Sequence, residues 1–508
     1  MNQQSKKTFI FKKPEYIILM VAGIIYASIS LVNHFVYRTY FNDLGLYTNA
    51  MYNYVHGNWH RSLIFAGGEH IDLWLILFSP LSLIFGSYAL LILQITFILF
   101  GGLGIYRYVF LLSNDKVLSL VSQFHFYFFF GIFTAVSFDY HSNVPAAMLV
   151  PWIFLFLKQK KWIHAGFIFF LVIIAKENMP LWMMFISSGL LFASLHVEKI
   201  PGRFPRIKIP SEKKKLSLML LVLFIVSGSY FIFLSQWFMP KYSFAVIGHL
   251  NDYKLLGGSP SAAIGNFFSN PAEMIIAFFT NHTGNPAGDY LKAEFLLLLF
   301  ISGGWVLLIR PVYLWMCVPL FAQKLFTDNT QFWGLGGQYA VEFAPIIVIG
   351  IYEFLALRKS KLVESGKTKF VMVKIAATVS VVLSVAVCFR VLDNTHAFVD
   401  KAAIRFYKER HYKSNTPLDA AQEAYRQIPD DAALSVQTHL APHAALREKI
   451  YLFPEINDAQ YIFLQMSGSG YYPLTQDEFL TLKDSLLKSK IWNEVWQKES
   501  LVILKKTL

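Results

Sequence analysis

Charge is scarce in this chain. Only 15% of its 508 residues are Asp, Glu, Lys or Arg, against 55% hydrophobic and 17% aromatic. A soluble domain does not carry so little charge, so a water-soluble globular protein is excluded as the overall class. Cysteine is scarcer still. The two present, Cys317 and Cys388, lie inside apolar runs, and neither a disulfide framework nor a thiolate metal site is implied. Internal repeats and low-complexity tracts are absent. The net charge of +13 comes mostly from short basic segments between apolar runs. That is the distribution of a membrane protein with positive loops inside, not of a surface for nucleic acid.

Long apolar runs are what the chain has instead, at a mean hydropathy of +0.45. A span needs roughly 20 apolar residues. By that test spans are expected near 15–36, 87–111, 117–136, 143–157, 162–176, 179–197, 216–237, 291–309, 311–327, 340–357 and 370–390, about eleven crossings. The run 71–86 is shorter and interrupted by Pro80, and reads as an interfacial or re-entrant segment. Lys6, Lys7, Lys12 and Lys13 precede a first apolar run too long for a cleaved signal, so it reads as an uncleaved span with a cytoplasmic N-terminus. Basic turns at 158–161, 198–215 and 358–369 then all fall on the cytoplasmic side.

The opposite side collects the polar loops: 37–86, FDYHSN at 138–143, KEN at 176–178, the long loop 237–290, and 328–339. From about residue 392 the chain changes character. The short runs ALSVQ, KIYLF, QYIFL and LVILK alternate with helical stretches at 414–427 and 476–495. No glycine-rich phosphate loop opens a helix there, so it is not a nucleotide domain. The expected architecture is an all-α polytopic membrane bundle over 1–391, with large outer loops at 37–86 and 237–290. A small extracytoplasmic α/β domain follows at 392–508.

Several outer residues carry chemistry. Asp43, in YFNDLGLY directly after the first span, suits a general base for an acceptor hydroxyl or a ligand to a divalent metal; it equally suits a helix N-cap. Glu69 and His70 stand on the same loop. Asp139 and His141 are two apart, a spacing for an extended segment lining a cavity. With Glu69 and His70 they form a carboxylate–imidazole set suited to a divalent ion such as Mg, Mn or Zn. Lys176 ends an apolar run and needs a partner at that depth: Glu177 beside it, or an anionic ligand such as a lipid phosphate. His249 lies in a long loop punctuated by glycine and proline, as a substrate-covering segment would be. Gln338, Tyr339 and Glu342 open a late span. His443 and Arg447 are spaced to share one helix face.

Taken in order, FNDLGLYTNAMYN, EHIDLWLILFSPL, FDYH, KEN, IGHLNDYKLLGGSPSAAIGNFFSNP, GQYAVEFAP and SVQTHLAPHAALREKIYLFP resemble the bacterial multispanning proteins of domain-of-unknown-function family 2079, over about residues 35–470. That family is grouped with the GT-C glycosyltransferases. The resemblance implies a multi-helix bundle of the bacterial inner membrane that takes a sugar from a polyprenyl-phosphate donor to an envelope acceptor (lipid, glycan or protein) away from the cytoplasm. Asp43 would match the acidic residue of the first outer loop, the base, and Lys176 would meet the donor phosphate. The sequence departs from the family where Ile71, not an aromatic residue, follows His70. The rival class is a transporter or flippase of a lipid-linked or small polar substrate. Transporters typically show repeated halves and broken midplane helices, whereas this chain shows no repeat and gathers its charged groups near one face.

Overall fold

The computed structural model describes residues 13–59, 70–198, 206–242, 252–257, 260–366, 370–468 and 470–507. The fold is mostly helical, with a mixed sheet near the C-terminus. Among the described residues, five stretches are long and apolar enough to cross a membrane: Pro14–Phe35, Leu73–Ser113, Ser211–Tyr242, Pro286–Ile309 and Val371–Asp393. The pair Lys116–Tyr127 and Phe130–Val136, bent by 45°, makes a sixth if taken as one span. This is fewer than the eleven expected. Asn143–Lys158, Trp162–Ile173 and Met179–Ser194 are apolar but short. At 1.5 Å per residue, the 12 residues of Trp162–Ile173 reach roughly 18 Å, against a hydrocarbon core of about 30 Å. Proline also interrupts: Pro319 lies inside Pro311–Leu325, which has 15 residues.

The chain forms two compact units that interleave in sequence. A helical unit comprises Met1–Tyr26, Ile95–Ala135 and Ser142–Lys401; an α/β unit comprises Ala27–Gln94, Val136–His141 and Ala402–Leu508.

Within the helical unit, several buried polar groups are satisfied by one another, as an apolar medium favours. The Tyr26 hydroxyl donates to Tyr127 O at 2.7 Å, and Ser384 Oγ to Phe128 O at 3.1 Å. Arg310 and Tyr108 share the Glu353 carboxylate at 2.9 and 2.8 Å. At Gly131 a helix packs directly on the backbone of a turn: a Cβ there would lie 2.6 Å from the Ala340 carbonyl oxygen. A small two-stranded ribbon pairs β1 (His196–Glu198) with β2 (Arg206–Lys208).

In the α/β unit, β3 (Leu434–Val436), β4 (Ile450–Leu452), β5 (Tyr461–Gln465), β6 (Trp492–Lys498) and β7 (Leu501–Lys506) form a sheet in the order β4-β3-β5-β7-β6. The β3 strand is parallel to both β4 and β5; β7 runs antiparallel to β5 and β6. Continuous apolar runs become buried strands, and β5 is buried along its whole length. The helix expected over 476–495 stops at Lys488, followed by Lys490 at φ +59° and then strand β6. WNEVWQK is mostly exposed, carries a bulge between Glu494 and Trp496, and lies at the sheet edge.

Two apolar clusters flank the sheet. One joins Leu434, Val436, Phe463 and Ile503 to Leu440, Ala441, Ala420, Tyr37 and Phe41. The other gathers Phe453, Ile462, Leu464, Phe479, Trp492 and Leu504. The short segment 71–86 is two brief helices, Leu73–Phe78 and Ser82–Phe85, that leave Leu77, Leu83, Ile84 and Phe85 exposed.

Candidate active site

Asp43 lies in the α/β unit on a single π-helical turn, Phe41–Gly45, which runs into the helix Leu46–Val55. Tyr40, just before it, is extended at φ −129°. A helix that starts this abruptly leaves its first N–H groups without partners of its own. Asp139 supplies an acceptor: its Oδ2 takes the Tyr40 N–H at 2.7 Å, and its carboxylate also accepts from the Leu44 backbone. Asp43 is no cap, since neither the turn nor the following helix has a side-chain cap. Its carboxylate instead meets His141, Oδ1 to Nε2 3.1 Å, with 25% of Asp43 exposed against 5% of the histidine.

The histidine is held from all sides. Its backbone N–H donates to Gln94 Oε1 at 3.2 Å, the Phe138 ring stacks on it at 5.3 Å, and Tyr47 meets it edge-on at 6.4 Å. Burial, and after it the charge of Asp43, push the Asp139 carboxyl well above the usual carboxylate range; the two backbone donors pull the other way. Two carboxylates and an imidazole from two loops therefore meet. A carboxylate that is partly exposed and backed by a fixed N–H donor is equipped to take a proton from a bound hydroxyl.

The neighbours divide between chemistry and structure. Asp72 is the N-cap of Leu73–Phe78, its Oδ1 accepting from Trp74 N at 2.9 Å. His70 is half-buried two residues before it. Tyr140 is fully buried, and its hydroxyl has no hydrogen-bond partner among the described residues. Glu69 and His249 lie outside the described residues. Among the described residues no group of three or more His, Cys, Asp or Glu side chains is arranged to hold a metal ion. Arg447 does not share a helix face with His443, because the helix Ala441–Ala444 is only four residues long. The guanidinium instead donates to the Ala444, Pro429 and Ala432 carbonyls, a structural role.

In the helical unit, Lys176 and Glu177 lie between Trp162–Ile173 and Met179–Ser194, both half-buried. Glu177, one of the two partners considered for Lys176, does not pair with it: among the described residues the Lys176 side chain makes no hydrogen bond or ion pair. Glu177 acts electrostatically on Tyr230 instead. Lys176 acts likewise on Glu342, whose Oε1 accepts from Asn143 Nδ2 at 2.6 Å. Asn178 donates to Gln323 Oε1 at 3.0 Å. Gln338 is buried with its Oε1 unpartnered among the described residues, and the Tyr339 ring lies 4.1 Å from that of Phe332.

Sequence reasoning missed Lys324. It is 2% exposed, donates to the Phe332 and Gly334 carbonyls at 2.5 and 2.6 Å, and lies 4.4 Å from the Phe295 ring. A lysine inside the apolar run VPLFAQKLF was the signal for it. Asn143 and Gln94 were missed too, and no local pattern marks them.

The family model for predicted membrane proteins, DUF2079, matches residues 33–500. No curated protein matches the chain in sequence. Among solved structures the fold is similar to that of ArnT from Cupriavidus metallidurans, in a crystal structure bound to undecaprenyl phosphate. The TM-score is 0.51 at 10% identity, covering 96% of this chain and 97% of that one.

Proposed function

The chain belongs to the DUF2079 family of membrane proteins, and from that premise we propose that it is a GT-C-type glycosyltransferase. It moves a sugar from a polyprenyl-phosphate donor to an envelope acceptor on the extracytoplasmic face of the bacterial inner membrane, with a cytoplasmic N-terminus. The carrying observation is the Asp43 carboxylate, partly exposed and held 3.1 Å from a buried histidine, in a chain whose fold is similar to ArnT from end to end.

The roles follow from the chemistry. Asp43 accepts the proton of the acceptor hydroxyl as its oxygen bonds to the anomeric carbon. The bond from that carbon to the phosphate oxygen breaks, and the polyprenyl phosphate leaves with the electron pair. His141 orients the carboxylate, and Asp139 holds the turn that carries it. Lys176, whose side chain makes no hydrogen bond or ion pair among the described residues, meets the phosphate; lysine does this as a point charge. Glu177, His249, Gln338 and Tyr339 are assigned to the donor or substrate on the same reading, and Glu69 and His70 to the catalytic group. A divalent Mg, Mn or Zn ion at Asp139 and His141 belongs to the proposal, tested by chelation and re-addition.

The deciding experiment reconstitutes the protein in liposomes with a polyprenyl-phosphate-linked sugar and envelope lipids or glycans. Mass spectrometry is expected to find a glycosylated acceptor and released polyprenyl phosphate in equal amounts. Movement of the lipid-linked sugar across the bilayer with no covalent product would overturn the proposal in favour of a flippase.

A further inference from the structure

The α/β domain at the C-terminus has no role in the chemistry above, yet its contacts lead to the Asp43 turn. In open α/β sheets, ligands settle beyond the carboxyl ends of parallel strands, where the chain leaves a central strand toward one side and returns on the other. Here that position is the end of β3, flanked by β4 and β5. The loop leaving it is QTHLAPHAA, residues 437–445, and what it holds is a piece of this same chain.

The Phe41 N–H donates to Thr438 Oγ1 at 3.3 Å, and Thr438 is 5% exposed. Phe41 and Tyr37 share an apolar cluster with Leu440, Ala441 and Ala444. A Cβ on Gly45 would make ordinary contact with the Ala441 Cβ at 3.8 Å. One turn on, Asn49 Nδ2 donates to the Ala445 and Arg447 carbonyls at 3.1 and 2.6 Å. On the other flank, His443 Nε2 donates to His34 O at 2.9 Å, and the two rings stack 4.0 Å apart and 2° from parallel.

The first N–H groups of the π-turn are thus divided between two donor-seeking neighbours. Asp139 takes those of Tyr40 and Leu44; Thr438 takes that of Phe41, two residues from Asp43. We infer that the C-terminal domain is a positioning element for the Asp43 carboxylate, and that Thr438 is its positioning residue. This rests on the reading of Asp43 as the base. A carboxylate displaced by about an ångström loses up to ~100-fold in rate, so a remote cap is enough to matter.

Thr438→Val keeps the shape and removes the acceptor. We expect kcat to fall about ten- to a hundredfold with the KM for the lipid-linked sugar unchanged, and Thr438→Ser to stay within about threefold of the parent. The same purified full-length proteins, followed by hydrogen exchange, give a readout independent of turnover. The peptide spanning 37–47 exchanges faster in Thr438→Val and at the parental rate in Thr438→Ser. Should Thr438→Val not accumulate, Asn49→Ala loosens the same clamp and is read the same way. Unchanged exchange over 37–47 in both variants overturns the inference, whatever the activity. So does a fully active Thr438→Val beside an inactive Asp43→Asn. If the parent shows no transfer but exchange rises as described, the glycosyltransferase reading falls and the clamp stands.

Discussion

The two units treat their key ionisable groups in opposite ways. In the α/β unit, Asp43 is fixed before any substrate arrives, with His141 on its carboxylate, Asp139 and Thr438 on the backbone that carries it, and an apolar cluster beneath. In the helical unit, the Lys176 side chain makes no hydrogen bond or ion pair among the described residues, while the lysine at 324 is tied to two carbonyls. A proton acceptor works best preorganised, since it must meet the hydroxyl in one geometry. A phosphate on a long lipid must arrive and leave, and a flexible lysine suits that traffic. The contrast is one of a built base and a waiting cation.

The largest effect should come from the built side. Asp43→Asn keeps shape and removes the base, so kcat is expected to fall by roughly 10²- to 10⁴-fold, with an unchanged melting temperature. A loss of folding along with activity would make the carboxylate a structural group and erase the contrast.

Acid should dismantle the same side. Burial lowers His443 to about 4, against 6.5 for an ordinary histidine. A buried neutral imidazole resists protonation while the unfolded chain accepts the proton, so stability falls as pH drops from about 6.5 towards 4. The shift is worth at most about 3 kcal/mol in this window, read as a drop in melting temperature. In His443→Gln, which retains a donor for the His34 carbonyl, the slope should flatten. An equal slope in both proteins would place the acid sensitivity elsewhere.

The waiting cation should show itself in binding. Lys176→Ala is expected to weaken undecaprenyl phosphate by about ten- to a hundredfold, the range of one charge-assisted hydrogen bond, with Lys176→Arg recovering part of it. Calorimetry on the detergent-solubilised protein reads this directly. Equal affinity in the alanine variant would leave the cation side without a ligand.

What could be read from the sequence follows the range of the forces involved. Four strands of the C-terminal sheet were legible because runs such as QYIFL are short, apolar and β-rich, and that is a local property. The edge strand Trp492–Lys498 was not, because its polar positions extend the helical pattern before it. Membrane class was legible from composition. The count of crossings was not, because hydropathy windows do not register breaks such as that between Tyr127 and Phe130, or the shortness of Trp162–Ile173. Alternation of basic loops placed Asp43, Asp139 and His141 on one side, and they do meet. Their pairing across a long sequence gap, and the reach of Thr438 to the Phe41 backbone, belong to tertiary structure alone.

The smallest effect is also the one that most sharply separates stability from chemistry. Asp139 performs two tasks, accepting backbone N–H bonds and placing a second carboxyl beside Asp43. Its carboxyl is raised above the usual range by burial and then by Asp43, so the folded protein holds that proton to a higher pH than the unfolded chain does. Stability from this group is therefore greatest at low pH and falls as pH rises from the ordinary carboxylate value through the folded one. Asparagine keeps an acceptor for Tyr40 and needs no charge. Asp139→Asn should melt at or slightly above the parental temperature at pH 7, with a flatter dependence on pH, while kcat drops by about threefold. Asp139→Ala removes the cap as well and should lose about 1 kcal/mol of stability and a larger share of activity. If asparagine destabilised the protein at neutral pH, the ionised carboxylate would be supporting the fold, and the built side would owe its order to a charge it is here taken to tolerate.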